Sequence, residues 1–159
     1  MTTFLVGGDL LADDAECLVN AVNTVGVMGA GLAKQFAVRW PFLLADYKAA
    51  CARRACRIGR VHLWQMPGVE RRWIANLPTK RHWRDPSRYS YVQAGLQDLV
   101  VQLRRLGVRS IAIPALGCGL GGLDFERVLP MIETAFAGSG IQVRIYAPAG
   151  SRGCREPSR

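Results

Sequence analysis

Gly117-Cys118-Gly119-Leu120-Gly121-Gly122 sits between the apolar run Ile111-Ala112-Ile113-Pro114-Ala115-Leu116 and a helix signal at Asp124. Four glycines in six residues, between a buried strand and a helix start, make a loop whose backbone can approach a ligand closely. Its N–H groups can then point inward, the arrangement that holds phosphate. A second small-residue stretch, Val25-Gly26-Val27-Met28-Gly29-Ala30-Gly31, follows the strand-like run Cys17–Val22 and also opens a helix. One glycine loop often only makes a turn. Two of them, each strand-loop-helix, point to a site that grips a diphosphate from both sides.

Working outward from these loops, Phe4–Val6 and Cys17–Val22 read as short buried strands. Leu32, Ala33, Phe36, Ala37 and Trp40 recur at helical spacing over 29–40, closed by Pro41, and a further helix is expected over 42–56. Strands at 60–66 and 72–77 flank the turn Pro67-Gly68. Val92, Leu96, Leu99, Val100, Leu103 and Leu106 give one amphipathic face, with Ser90 as the expected cap and Gly107 as the stop. Strand 108–113, a helix over 124–137 capped by Asp124 with Pro130 inside it, and strand 141–146 complete the pattern. Strands alternating with helices imply an α/β sandwich with helices on both faces of the sheet. Ligands in such sheets bind at the carboxyl ends of the strands, where both glycine loops, Asn20–Asn23 and Leu77–Lys80 all fall.

The 159 residues suit one domain over 1–148, followed by a polar, flexible tail over 149–159. No apolar run approaches membrane-spanning length and no signal peptide is visible. The five cysteines (Cys17, Cys51, Cys56, Cys118, Cys154) show no Cys-x-x-Cys spacing. A cytoplasmic protein with reduced thiols, no metal site and no disulfide framework is expected. Cys118 reads either as a small residue filling a tight loop or as a nucleophile. The formal charge of +9, from 21 basic and 12 acidic residues, favours a polyanionic partner, a nucleotide or a nucleic-acid strand. Solvated arginine-rich faces would give the same balance.

Taken together, Gly8-Asp9-Leu10, Asn20-Ala-Val-Asn23, Gly29-Ala-Gly31 and Pro114-Ala-Leu-Gly-Cys-Gly-Leu-Gly121 resemble the macrodomain, the ADP-ribose-binding fold, over residues 3–147. Asn23–Gly31 and Pro78-Thr-Lys-Arg-His-Trp-Arg84 are similar to a narrower branch of that family. That branch holds the animal enzyme removing terminal ADP-ribose from proteins and the bacterial antitoxin removing it from DNA, and the DNA-acting member is the nearer match. The resemblance implies a three-layer α/β/α sandwich around a mixed, mostly parallel sheet. It also implies an ADP-ribosyl glycohydrolase acting on ADP-ribosylated protein or single-stranded DNA, as a monomer without a cofactor or a membrane. A non-catalytic ADP-ribose reader is the alternative.

Site roles follow from the same resemblance. Asp9, flanked by Gly8 and Leu10, accepts a hydrogen bond from the adenine amino group; as a plain sequence feature it is equally a helix N-cap. Gly26, Met28, Gly29, Ala30 and Gly31 wrap the distal ribose, with Asn23 bonding a ribose hydroxyl. Asn20 joins them, although one of the two asparagines could instead pin loop backbone. Leu116, Gly117, Cys118, Gly119, Leu120 and Gly121 hold the diphosphate through backbone N–H groups, so a β-branched residue at Gly119 is expected to intrude or to forbid its φ. Tyr146 stacks near the adenine or serves as a core tyrosine. Thr79 precedes Lys80, the catalytic lysine of the branch, which works there as an amine nucleophile or a proton donor. Gly121 stands where the animal enzyme carries an acid, so the resemblance supplies no general acid.

Overall fold

The computed structural model describes residues 3–148. The expected tail over 149–159, with Cys154, lies outside them. Six strands, β1 (Thr3–Val6), β2 (Cys17–Val22), β3 (His62–Gln65), β4 (Trp73–Pro78), β5 (Ser110–Pro114) and β6 (Gln142–Tyr146), form one sheet in the order β1-β6-β5-β2-β4-β3. All neighbours are parallel except β3, which pairs antiparallel with β4 as the hairpin around Pro67-Gly68 requires. The sheet is therefore mixed and mostly parallel, as expected.

Alternation along the strands sorts side chains between two cores. Cys17, Val19, Ala75, Leu77, Ile111, Ile113, Val143 and Ile145 face helices α3 (Tyr89–Leu106) and α4 (Phe125–Phe136). Leu18, Val22, Ile74 and Ala112 face α1 (Gly31–Arg39) and α2 (Pro41–Ala52) through Phe36, Leu43, Tyr47 and Ala50. The result is three layers, with one amphipathic helix pair on each side. On α3, Val92, Leu96, Leu99 and Leu103 are buried, each contributing about 1.5–3 kcal/mol relative to exposure. No helix among the described residues is long and apolar enough to cross a membrane.

Helix ends follow local chemistry at α4 and at the end of α3. Asp124 caps α4 by accepting from Glu126 N at 3.0 Å, and Gly107 stops α3 at φ +67°. Pro130 lies within α4 without ending it. The expected Ser90 cap is corrected: α3 starts at Tyr89, with Arg88 at the cap position and no side-chain bond. Tertiary contact draws the start forward, since Tyr89 Oη accepts from Asp124 N at 3.0 Å and the Arg127 guanidinium lies 4.0 Å from the Tyr89 ring centre.

Candidate functional site

A cleft of about 700 Å³ opens at the carboxyl ends of β2, β4 and β5, a size suited to a small organic ligand. Three segments wall it.

The first follows β2. Asn23 Nδ2 donates to the Val27 carbonyl at 2.8 Å, while Val25 N and Val27 N donate to Asn23 Oδ1 at 3.1 and 3.3 Å. Tyr47 Oη donates to the Asn23 carbonyl at 2.6 Å from beneath. The Asn23 amide is thus occupied in shaping its own loop, with both polar ends committed. That loop delivers the chain to α1, whose N-cap residue Ala30 offers no side-chain acceptor. Gly31, Leu32 and Ala33 line the cleft, and as first-turn residues their N–H groups have no intrahelical partners, at the positive end of the helix.

The second wall follows β5. Cys118 N donates to Ala115 O, Gly122 N to Gly119 O and Leu123 N to Gly117 O, at 2.9–3.1 Å, which folds residues 115–123 into a tight double turn. Among the described residues no protein acceptor serves the N–H groups of Gly119, Leu120 or Gly121. Gly117 needs its glycine, with φ +73° and a Cβ position 2.8 Å from Leu123 Cδ1. Gly119 does not: its φ is ordinary and a Cβ there meets open space. The expectation of strain at Gly119 is therefore corrected.

The third wall is the end of β4. Thr79 is buried, its N–H donates to Val22 O at 3.0 Å, and its Oγ1 accepts from Ser87 Oγ at 3.0 Å. Lys80 follows, half-buried on the cleft wall, and no hydrogen bond or ion pair among the described residues holds its ammonium. Trp83 completes this wall. The neighbouring cations turn onto rings instead: Arg81 and Arg88 over Tyr91, and Arg84 over Trp83. Among the described residues no carboxylate lines the cleft.

Asn23, Gly29, Ala30, Gly31, Thr79, Lys80, Gly117, Gly119, Leu120 and Gly121 thus come together as the sequence reading placed them. The others do not line this cleft. Asn20 is fully buried within β2, where its Nδ2 donates to Asn76 Oδ1 at 3.2 Å. Met28 and Leu116 are core residues, and Gly26 makes a turn at φ +86° against Lys48. The Cys118 thiol donates to the Leu116 carbonyl, and burial, followed by the charge of Asp124, pushes its pKa up to about 11. A thiol so protonated is a poor nucleophile, which favours its reading as a loop filler.

Gly8, Asp9 and Leu10, which follow β1, and Tyr146, the last residue of β6, sit further along the same sheet edge. Asp9 is exposed and accepts from Leu11 N at 3.0 Å, capping the single 3-10 turn Leu10–Ala12, while Leu10 is buried. Tyr146 donates to Asp13 Oδ2 at 2.5 Å. From β1 to β4 the edge spans four inter-strand spacings, about 19 Å, long enough for an extended dinucleotide-like ligand.

Sequence reading missed Val27, Leu32, Trp83 and Ser87 among the wall residues. Helical spacing gave Leu32 away as cleft-facing only once the N-terminus of α1 was placed. Ser87 carried no sequence signal at all. The described cysteines are all free thiols, and no group of three or more potential ligands for a metal ion occurs among the described residues.

Comparison with known proteins agrees with this geometry. A family model described as the Macro domain matches residues 19–132. A DNA ADP-ribosyl glycohydrolase of Thermus aquaticus is 48% identical over 145 residues, 90% of this chain but 40% of that protein, so the chain spans about two fifths of that relative. The solved macrodomain of Thermus aquaticus DarG superposes with a TM-score of 0.87 at 46% identity, covering 92% of this chain and 99% of that one. Thermosipho africanus DarTG, solved in complex with ADP-ribose, gives 0.89 at 33% identity, covering 95% of this chain and 43% of that one.

Proposed function

The chain belongs to the macrodomain family, and from that membership we propose that it is an ADP-ribosyl glycohydrolase releasing single ADP-ribose units from a macromolecule. Thymine-linked ADP-ribose on single-stranded DNA is the first acceptor, given the 48% identity to a DNA-acting relative; an ester on a protein Glu or Asp is the second. The observation that carries the reading is Lys80. An ammonium held by no partner among the described residues shares one cleft with the first turn of α1 and with Gly119–Gly121, whose N–H groups have no acceptor among the described residues.

In this reading the α1 N-terminus and the N–H groups of Gly119–Gly121 hold the diphosphate. The distal ribose lies between Gly29–Gly31 and the second loop, which brings its anomeric carbon to Lys80. Adenine extends toward Asp9 and Tyr146. In its deprotonated form the Lys80 amine attacks the anomeric carbon of the closed ribose and displaces the acceptor, which leaves with the proton the amine gives up; the ribosylamine so formed then opens to an imine on Lys80. Water then hydrolyses the resulting imine and frees ADP-ribose. The protein acts as a monomer in the cytoplasm, where thiols stay reduced.

That no carboxylate of the described residues lies on the cleft wall favours a second reading, binding without release. One experiment separates the two: incubation with thymine-linked DNA and ester-linked protein, each labelled in the ADP-ribose. Free ADP-ribose from either supports the glycohydrolase. Tight binding with no release from either leaves the reader.

A further inference from the structure

Trp83 is 48% exposed, an unusual amount for an indole, yet it lines the same cleft as Lys80 three residues earlier. It is not held there by packing alone. Asp85 N donates to the His82 carbonyl at 3.0 Å and His82 N to Asp85 Oδ2 at 3.3 Å, so Trp83 rides inside a closed turn. Thr24 pins Arg81, the residue just before that turn, its N–H and its Oγ1 both donating to the Arg81 carbonyl at 2.9 Å. The Arg84 guanidinium lies 4.5 Å from the Trp83 ring centre.

With the His82 ring centre 5.0 Å from its own, Trp83 is a preorganised, half-exposed indole beside one guanidinium, a recognition element used for unstacked nucleobases: the exposed part of the ring supplies a flat apolar surface and the cation attracts an adjoining phosphate. A protein ester offers nothing flat at that position. We infer that Trp83 is the platform on which the acceptor base of a DNA strand stacks while its bond to ADP-ribose is broken at Lys80. This rests on the glycohydrolase reading and deepens it, because it makes Trp83 a specificity residue for DNA over protein acceptors. Stacking needs one free face of the base, so the acceptor strand must present that base outside a helix.

The test compares Trp83→Ala, Trp83→Leu and Trp83→Phe with the unaltered protein on three substrates. These are thymine-linked single-stranded DNA, a single ADP-ribosylated thymidine nucleotide and an ester-linked protein. Ala and Leu are expected to lower kcat/KM on the DNA and on the nucleotide by about tenfold or more, with Phe retaining most of it. Ester release should fall far less than release from the DNA or the nucleotide, and a cooperative thermal transition at the unaltered protein's Tm shows that the variants are folded. Equal loss on all three substrates, full activity with Leu, or a dependence that vanishes on the single nucleotide each overturns the platform and leaves the glycohydrolase standing. Release by the unaltered protein from the ester alone does the same. No release from any substrate overturns both.

Discussion

Ser87 N donates to the carbonyl of Gly121 at 3.0 Å, and a Cβ built on Gly121 would overlap Ser87 Oγ and lie 2.5 Å from the Gly117 carbonyl oxygen. With Ser87 Oγ also donating to Thr79 at 3.0 Å, one serine braces the strand end that carries Lys80 against the second glycine loop. Glycine at 121 is thus a packing requirement of this chain.

That brace predicts a clean contrast between two glycines. Gly121→Ala should destabilise the fold by about 1–3 kcal/mol in denaturant unfolding, because backbone and not only a flexible side chain must move. Gly119→Val should leave stability unchanged, since its Cβ meets open space, and instead block ADP-ribose binding by filling the cleft. Normal binding by Gly119→Val in calorimetry would remove the second loop from the ligand site.

Lys80→Ala should lose most turnover while still binding ADP-ribose, because the N–H donors lie on the other walls. Lys80→Arg should not restore activity: guanidinium keeps the charge but does not deprotonate. Borohydride added during turnover should trap ADP-ribose on Lys80. Full activity in the arginine variant would reduce Lys80 to a source of charge.

Asp9 caps a turn and is proposed to read adenine, and two variants separate these roles. Asp9→Ala should lower Tm through the lost Leu11 bond and weaken ADP-ribose binding by about 1–3 kcal/mol. Asp9→Asn keeps an oxygen for the cap, so Tm should hold, while its amide N–H₂ faces the adenine amino group as a second donor and binding still weakens. Wild-type affinity in both would leave Asp9 only a cap.

His62 gives a pH dependence of stability. Burial, then repulsion from Arg53, holds its pKa below the ordinary value of 6.5 despite the opposing pull of Asp46. The fold therefore favours neutral imidazole, which accepts from Asn76 Nδ2 at 3.2 Å through Nδ1. A depressed pKa contributes stability that is complete above the unfolded value, about 6.5, and is lost as pH falls through the folded one. Tm measured from pH 7.5 to 5 should fall across that window, less steeply in His62→Gln. Parallel curves for the two proteins would remove His62 as the cause.

What the sequence made legible was local. The strand Cys17–Val22 follows from its apolar run, the α3 stop from a glycine that tolerates left-handed φ, and the α4 start from Asp124. The mostly parallel sheet follows from the alternation of strands with helices, and ten of the expected site residues share one cleft because both loops leave strand ends on the same side. What stayed hidden was non-local. Ser87 matters only because Gly121 and Thr79 meet it, and Asn20 turned out to be core because β4 lies beside β2. The start of α3 likewise depends on Asp124 in a distant loop.

The row Asn20–Asn76–His62 crosses three adjacent strands in register, amide to amide to imidazole, inside an otherwise apolar layer. Apolar strands can slide by two residues and still face the same side; three matched polar groups cannot, since each would be stranded without a partner. A two-residue slip of β4 along β2 would carry Lys80 about 6.6 Å past Asn23. The distance between the amine and the loop it faces is therefore gauged three and four residues upstream, by groups that do not line the cleft.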